Sequence, residues 1–267
     1  MKNLFKYIGL FSILVCSFYY TEKMGYVVKN NNKLVAEINE NANKYNVKFV
    51  NAEINNSYII PGLNGYAVNV LKSYDNMRYL DTFNSYYLEY DVIKPYISLD
   101  NNKDKIIKYG NNSKNQISII INNNKEILEY AIKKSINITR IVDYDNFIED
   151  ANYEQINGDE DNYEKVESLL NKYGLNKKIC YINNNIKQKC INDNKYLVEP
   201  SIILNNYNLS SINRNIKKGY IIYINDDVKL INFKLLLKQI FYQDIKIVSL
   251  SKLVSEERDW FLSAILI

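Results

Sequence analysis

The stretch GYIIYINDDVKLINFKLLLKQIFYQDIKIVSL, residues 219–250, sets the fold class of this chain. A short apolar run ends in Asn225 and Asp226, and a helical stretch and a second short apolar run follow it. A strand, a helix and a strand in this order predict a βαβ unit with parallel strands. Because parallel strands end at the same edge of a sheet, the polar residues that follow them indicate where a site lies.

The same alternation begins near residue 116 and fills the second half of the chain. Residues 21–112 lack this rhythm, and we predict that they form a small N-terminal extension of one helix and short strands. Residues 113–260 are predicted to form an α/β domain. Its strands are expected at QISIII, ITRIVDY, KKICYI, KYLVEP, GYIIYI and IKIVSL, and its helices at KEILEYAIKKSI, NYEKVESLLNKYG and NFKLLLKQIFYQ.

The bulk composition indicates a folded protein. The chain has 267 residues, of which 47% are hydrophobic and 24% charged, and it contains no histidine. Its formal net charge of +4 is spread along the chain without a basic block. This distribution gives no support for nucleic-acid binding and only weak support for attraction to anionic cell-wall polymers.

The first 20 residues, MKNLFKYIGLFSILVCSFYY, have the layout of an export signal. Lys2 and Lys6 precede an uncharged apolar stretch, as in a positively charged n-region and an h-region. Two alternatives stay open: a cleaved signal peptide, which makes the protein secreted, and an uncleaved transmembrane anchor in the cell membrane. A lipoprotein site at Cys16 fits less well, because the bulky Val15 precedes it. In each case the body of the protein is expected outside the cytoplasm.

Two cysteines lie close together in the predicted α/β domain. Cys180 and Cys190 bracket the segment CYINNNIKQKC. Outside the cytoplasm disulfides persist, so we predict that these two residues are bonded; the alternative is two unrelated buried thiols.

Polar residues follow most of the predicted strands and are expected to meet at one rim of the sheet. They are amides more often than acids, so the rim is predicted to be a polar pocket with few charges. Its residues are Asn122, Asn123 and Asn124, then Asn183, Asn184 and Asn185, then Glu199, and finally Asn225 and Asp226.

Two segments resemble a known family. Residues 217–256, KKGYIIYINDDVKLINFKLLLKQIFYQDIKIVSLSKLVSE, resemble the C-terminal part of the polysaccharide deacetylase (NodB-homology) domains of carbohydrate esterase family 4. In that family a glycine-led strand ends in His-Asp, a helix follows, and the last strand runs into a V-x-L-S-x-L ending. The segment QISIIINNNKE resembles the family's opening strand, which ends in Thr-Phe-Asp-Asp-Gly.

The resemblance implies a deformed (β/α) barrel that binds a divalent metal and removes acetyl groups from N-acetylated sugars. By position, the family's general base falls on Asn122, its metal-binding aspartate on Asn123, its glycine on Asn124 and its late histidine on Asn225. Asp226 is the one residue that matches the family. The two metal-binding histidines have no counterpart, because the chain has no histidine.

These replacements predict a degenerate site without a catalytic residue, metal or cofactor. An amide is not basic enough to take a proton from water, and neutral amides lack the charge to hold zinc and acidify its water. Asn124 is expected to be tolerated in place of glycine because asparagine adopts the left-handed conformation more readily than most residues.

Three functional hypotheses remain at this point. The first is an inactive, deacetylase-like protein that binds a cell-wall or envelope glycan and contacts the membrane through residues 1–20. The second is an active deacetylase of N-acetylated glycans that uses a non-standard site built from Asp143, Glu199, Asp226 or Asp227. The third is a purely structural role.

Overall fold

The computed structural model describes residues 2–30, 32–182, 186–208 and 216–258. Helices and strands are numbered here in chain order. The described helices are α1 (Lys2–Asn30), α2 (Lys33–Tyr45), α3 (Val70–Met77), α4 (Lys125–Lys133), α5 (Tyr163–Lys172), α6 (Lys187–Asn192), α7 (Leu230–Tyr242) and α8 (Leu250–Val254). The described strands are β1 (Glu53–Asn55), β2 (Tyr58–Ile60), β3 (Gly65–Val68), β4 (Tyr90–Ile93), β5 (Ile106–Ile107), β6 (Gln116–Ile121), β7 (Thr139–Val142), β8 (Glu154–Asn157), β9 (Ile179–Tyr181), β10 (Tyr196–Val198), β11 (Ile202–Leu204), β12 (Ile221–Ile224) and β13 (Lys246–Ile247).

The chain divides into two compact units. The smaller unit holds the residues up to Lys48 together with Gly65–Ile93, and the larger unit holds Phe49–Asn64 and the described residues from Lys94 onward. The structure thus divides residues 21–112 differently from the predicted extension. It places β1, β2 and β5 in a sheet of the larger unit. Strand β2 pairs with β5 and β5 with β10, which are distant in sequence, and β1 joins the sheet as the hairpin partner of β2.

The smaller unit packs helices against the antiparallel pair β3–β4. The side chain of Asn32 caps α2 by accepting a hydrogen bond from the Leu34 N–H, at 2.8 Å. Leu34 and Ile38 of that helix are buried in a cluster with Met77 and Leu88. Helix α1 contains the apolar stretch that was predicted as a signal or anchor. Across the described residues, no helix combines the length and the apolar character that crossing a membrane requires.

The larger unit contains two sheets whose long-range pairings are parallel. One sheet has the order β11-β12-β6-β7-β8, with β13 also paired to β6, and the other has the order β1-β2-β5-β10-β9. Only the β1–β2 pair among the described strands of these sheets is antiparallel. The prediction of an α/β fold with a parallel sheet is therefore confirmed.

The central strand β6 explains why this unit folds as layers. All six of its residues are buried, as in parallel strands that are covered on both faces. Ile119 faces a core that includes Phe233 of α7 and Ile127 of α4. Ile120 faces a second core, which the two sheets share and to which Leu253 of α8 contributes.

Among the described strands, the two sheets do not join into one continuous ring of hydrogen-bonded strands. Tyr109, after β5, and Tyr220, before β12, form an isolated antiparallel bridge. Strands β8 and β11 were not predicted, because EQIN and IIL are too short to show a clear periodicity.

Candidate functional site

A small pocket lies at the carboxyl ends of the strands of the six-stranded sheet. Its volume is about 180 Å³. We call it the carboxyl-edge pocket, and the described residues that line it are Asn122, Asn123, Ile141, Val142, Asp143, Gly158, Tyr181 and Tyr223. The structure therefore brings two of the predicted rim residues, Asn122 and Asn123, to one pocket.

Two tyrosines form an aromatic wall of this pocket. The rings of Tyr181 and Tyr223 are stacked, with centroids 5.8 Å apart and planes 21° apart. Burial, with smaller effects of Tyr223 and Glu199, raises the pKa of Tyr181 to about 12. Burial and the Asp226 carboxylate raise the pKa of Tyr223, and a hydrogen bond from the Asn122 side chain opposes this rise. Both phenols are therefore neutral near pH 7 and able to donate hydrogen bonds.

Asn123 occupies the position at which the resemblance places a metal-binding aspartate. Its backbone N–H donates to Oδ1 of Asp226 at 3.1 Å. Its side-chain oxygen accepts from Nδ2 of Asn146 at 3.3 Å. The atoms of Asn123 and Asp226 are thus engaged in joining the turn after β6 to the turn after β12.

Asn124 is a structural residue. Its side-chain oxygen caps α4 by accepting from the Ile127 N–H at 3.2 Å, and its Nδ2 donates to the carbonyls of Asp226 and Val228 at 3.1 and 2.8 Å. Asparagine was expected to be tolerated here because it adopts the left-handed conformation readily, but the φ of Asn124 is −73°, so that reason does not apply. Asparagine suits this position because one buried amide serves three backbone groups.

Asp143 is the carboxylate that lines the pocket, and it is held by its own turn. Oδ1 accepts from the backbone N–H groups of Asp145 and Asn146, at 3.0 and 2.9 Å. Oδ2 accepts from the Asn146 side chain at 2.7 Å. Both oxygens of this carboxylate therefore already accept hydrogen bonds from the loop after β7.

Two further predicted rim residues, Asn225 and Glu199, do not line this pocket. Asn225 is exposed, and its side-chain oxygen accepts from the Asp226 N–H at 3.1 Å. Glu199 is half-buried after β10, and its N–H donates to the Ile107 carbonyl at 3.0 Å. Asn183, Asn184 and Asn185 lie outside the described residues.

These residues do not fit the divalent metal that the resemblance implies. The chain has no histidine, and within the described ranges no group of three His, Cys, Asp or Glu side chains is placed to hold an ion. The oxygens of Asn123, Asp143 and Asp226 accept hydrogen bonds from the turns that present them. The described residues at this edge therefore do not form a metal site.

The predicted disulfide is present beside the pocket. Cys180 of β9 is bonded to Cys190 of α6, with Cα atoms 6.1 Å apart. Both cysteines are buried in a cluster with Ile186 and Leu197. Because Cys180 directly precedes Tyr181, this bond fixes the strand that supplies one wall of the pocket.

Comparison with known proteins identifies the fold. The structure matches the crystal structure of a wild-type pseudoenzyme of carbohydrate esterase family 4 (CE4) from Bacillus anthracis, with a TM-score of 0.59 and 19% identity over 84% of this chain and 96% of that chain. The chain therefore has a polysaccharide deacetylase-like fold. A mutant of the same B. anthracis protein, described as having restored enzymatic activity, matches this chain with a TM-score of 0.57 and 20% identity over 84% of this chain and 99% of that chain.

Sequence comparison adds one relative. The uncharacterized protein YlxY of Bacillus subtilis strain 168 is 33% identical over 97 residues, which are 36% of this chain and 30% of that protein. The match with the deacetylase-like chain thus spans less than a third of the length of that curated relative. No protein-family model matches the chain.

Three residues that line the carboxyl-edge pocket were not among the predicted rim residues: Asp143, Tyr181 and Tyr223. Tyr181 and Tyr223 lie within predicted strands, and Tyr223 lies two residues after Ile221, whose side chain is in the core that the sheets share. Strand alternation places residues 221 and 223 on the same face, which is the signal that points Tyr223 inward. Asp143 was named only in the hypothesis of an active enzyme.

Proposed function

We propose that this protein is a catalytically inactive polysaccharide deacetylase-like protein that binds an N-acetylated glycan of the cell envelope at its carboxyl-edge pocket. One observation carries the proposal. Asn122 and Asn123, which replace the family's base and metal-binding aspartate, line a pocket at the carboxyl ends of the strands in a chain without histidine.

The chemistry of the lining supports the loss of turnover. Asn122 cannot accept a proton from water, and no imidazole is present to replace it. Tyr181 has a pKa of about 12, so its phenol is protonated near neutral pH. Attack on an acetamide carbon needs an activated water, and none of the described lining residues is suited to supply one without a metal.

The same lining supports binding. The Asn122 amide and the tyrosine hydroxyls donate and accept hydrogen bonds, and the stacked rings of Tyr181 and Tyr223 offer an apolar face. The pocket volume of about 180 Å³ is below the ~300 Å³ from which drug-sized sites usually start. It suits one sugar unit or its acetamido group, with the rest of the glycan outside.

Location and attachment are further parts of the proposal. Lys2 and Lys6 followed by an apolar stretch favour export, either as a cleaved signal or as an anchor through residues 1–20. The bond between Cys180 and Cys190 is in keeping with an oxidising compartment outside the cytoplasm. The description of the B. anthracis structure as a CE4 family pseudoenzyme is consistent with an inactive protein of this fold.

A second candidate function is an active deacetylase with a non-standard base. The observation in its favour is that Asp143 lines the pocket together with Asn122 and Asn123. Against it, both Asp143 oxygens accept hydrogen bonds within the loop after β7, so activation of a water requires that this turn open.

The binding part of the proposal is tested by titrating the purified full chain with an N-acetylglucosamine tetramer in a calorimeter. Replacing Tyr181 by Ala removes half of the aromatic wall, and we expect it to weaken binding about tenfold. The matched control is Tyr207→Ala, because Tyr207 is 93% exposed and lines none of the described pockets. Equal affinities of wild type and Tyr181→Ala, or no binding by wild type, contradict the proposal.

A further inference from the structure

Two larger pockets lie at the opposite edge of the six-stranded sheet. They are formed by residues that precede β6, β12 and β13, and so lie at the amino ends of these strands. Their volumes are about 690 and 810 Å³, against about 180 Å³ at the carboxyl edge. Ile245 lines both, so the two pockets adjoin. We call them the first and second amino-edge pockets.

The first amino-edge pocket has an aromatic surface with polar groups around it. The rings of Tyr109 and Tyr220 lie with centroids 5.5 Å apart and planes 46° apart, and both residues are half-buried. Glu53, Asn112 and Gln243 also line this pocket. Aromatic faces surrounded by amide and carboxylate groups match a sugar ring, which has apolar C–H faces and hydroxyls at its edge.

The charges at this edge are mainly positive. Lys217 and Lys218 line the first pocket and are exposed. The second pocket is lined by four further cationic residues and by Asp244, and the first also contains Glu53. Two of these cations already donate to backbone carbonyls, Lys114 to those of Lys252 and Ser255 and Arg258 to that of Asn64, whereas Lys246 is exposed. Such a concave surface concentrates anions near it. The four cationic residues of the second pocket are Lys114, Lys246, Lys252 and Arg258.

The second amino-edge pocket also contains a polar side chain that the protein leaves unpaired. Gln116, the first residue of β6, is fully buried and lines this pocket. Within the described residues, neither its Oε1 nor its Nε2 has a hydrogen-bond partner. A buried amide without partners is costly. Because its polar atoms are buried, a ligand in the pocket contacts them only if the surrounding wall moves.

We propose that the amino-edge pockets bind an acidic oligosaccharide, with a sugar ring against Tyr109 and Tyr220 and its anionic groups against the exposed Lys217, Lys218 and Lys246. The volumes, the aromatic pair and the charge support this ligand class. The site uses none of the residues of the carboxyl-edge pocket, so it goes beyond the proposed function and does not depend on it.

Three probes separate the ligand chemistries: a tetrasaccharide of alternating N-acetylglucosamine and glucuronic acid, a short poly(glycerol phosphate), and a neutral N-acetylglucosamine tetramer. We expect the full chain to bind the acidic tetrasaccharide with an affinity that falls as salt rises. Binding of the neutral tetramer should show no such fall, because it carries no charge. Poly(glycerol phosphate) has no sugar ring, so failure of the tetrasaccharide to bind overturns the proposal even where the phosphate polymer binds.

Paired lysine variants locate the binding. Lys217→Gln with Lys218→Gln should weaken binding of the acidic probe about tenfold, because two charge-assisted contacts are lost. The matched control is Lys133→Gln with Lys134→Gln, an exposed adjacent pair that lines none of the described pockets and removes the same charge. Equal weakening by both pairs indicates non-specific attraction and overturns the proposal.

An aromatic variant tests the sugar contact separately. Tyr109→Leu removes the ring and should weaken binding several-fold, whereas Tyr109→Phe keeps the ring and should bind nearly as wild type. Thermal unfolding of each variant checks that it is folded. The N-acetylglucosamine units of the probe can also enter the carboxyl-edge pocket, so the salt dependence of binding is compared in Asn122→Ala. That salt dependence should be unchanged in Asn122→Ala; its loss there assigns the anionic groups to the carboxyl edge and contradicts the proposal.

Discussion

The two edges of the six-stranded sheet differ in how their polar side chains are used. At the carboxyl edge Asn123 and Asn124 bond to the turn after β12, Asp143 bonds within its own turn, and the pocket that remains is small. At the amino edge the pockets are several times larger, and the Gln116 amide has no partner among the described residues. The polar residues of the carboxyl edge thus hold turns of the fold together, while the more open surface lies at the opposite edge.

The largest expected effect is a loss of stability when Asn124 is replaced. Asn124→Ala removes a helix cap and leaves the carbonyls of Asp226 and Val228 without their donor, so the free energy of unfolding should fall by about 3 kcal/mol. The amino-edge control Asn112→Ala concerns an exposed side chain and should change it by less than ~0.5 kcal/mol. Urea unfolding measures both. Similar small losses in the two variants would remove the contrast between the edges.

The next effect concerns the disulfide that fixes the wall of the carboxyl-edge pocket. Replacing Cys180 and Cys190 by Ala should lower the free energy of unfolding by about 2 to 3 kcal/mol, because the unfolded chain is no longer closed in a loop. It should weaken glycan binding at the carboxyl edge and leave the acidic probe's binding unchanged. In unreduced, denatured wild type only Cys16 should react with a thiol label; three reactive thiols would refute the bond.

A pH effect of intermediate size is expected from Tyr181. Burial raises its pKa from 10.0 to about 12, so the folded state holds the phenol proton more tightly than the unfolded state. This contribution to stability is complete below pH 10 and is lost as the pH rises through 12. Wild type should lose on the order of 1 to 2 kcal/mol more than Tyr181→Phe between pH 10 and 12. Parallel pH profiles of the two proteins would show that the wall is not buried.

The smallest expected effect concerns Asp100, which lines none of the three named pockets and serves as a reference. Asp100 accepts hydrogen bonds from Lys94 and from the Tyr196 hydroxyl, each at 2.6 Å, and these lower its pKa from 3.8 to about 2. The stabilisation is present above pH 4 and is lost as the pH falls toward 2. Asp100 is 37% exposed, so Asp100→Asn should cost less than ~1 kcal/mol at pH 7 and nothing near pH 2. A loss that persists at pH 2 would assign it to packing.

The strands and helices of the larger unit were predictable where the local pattern was long. QISIII forms β6 within its predicted bounds, and NFKLLLKQIFYQ falls on α7. Strand β5 was not predictable, because its two residues are held in place by pairing with β2 and β10 rather than by local propensity. Whether residues 1–20 are a signal or an anchor stays a prediction.

The site was predictable in part. The expectation that residues after parallel strands meet at one edge located Asn122 and Asn123, and the spacing of the two cysteines located the disulfide. The tyrosine wall required strand register, which fixes the side toward which Tyr223 points. The amino-edge pockets were not predictable, since their walls come from loops distant in sequence, such as those around Asn51 and Lys217.

The most direct test of the carboxyl edge is acetate release by the purified full chain from an N-acetylglucosamine oligomer, with and without added zinc. An active deacetylase in the same assay serves as the positive control. The resemblance places Asn122 and Asn123 where the family has its base and a metal-binding aspartate, and the chain has no histidine, so we expect no acetate above the blank in either condition. The account is contradicted if the wild type releases acetate and this release is abolished in Asn122→Ala, Asp143→Ala or Asp226→Ala. That result would show that these residues carry out the chemistry.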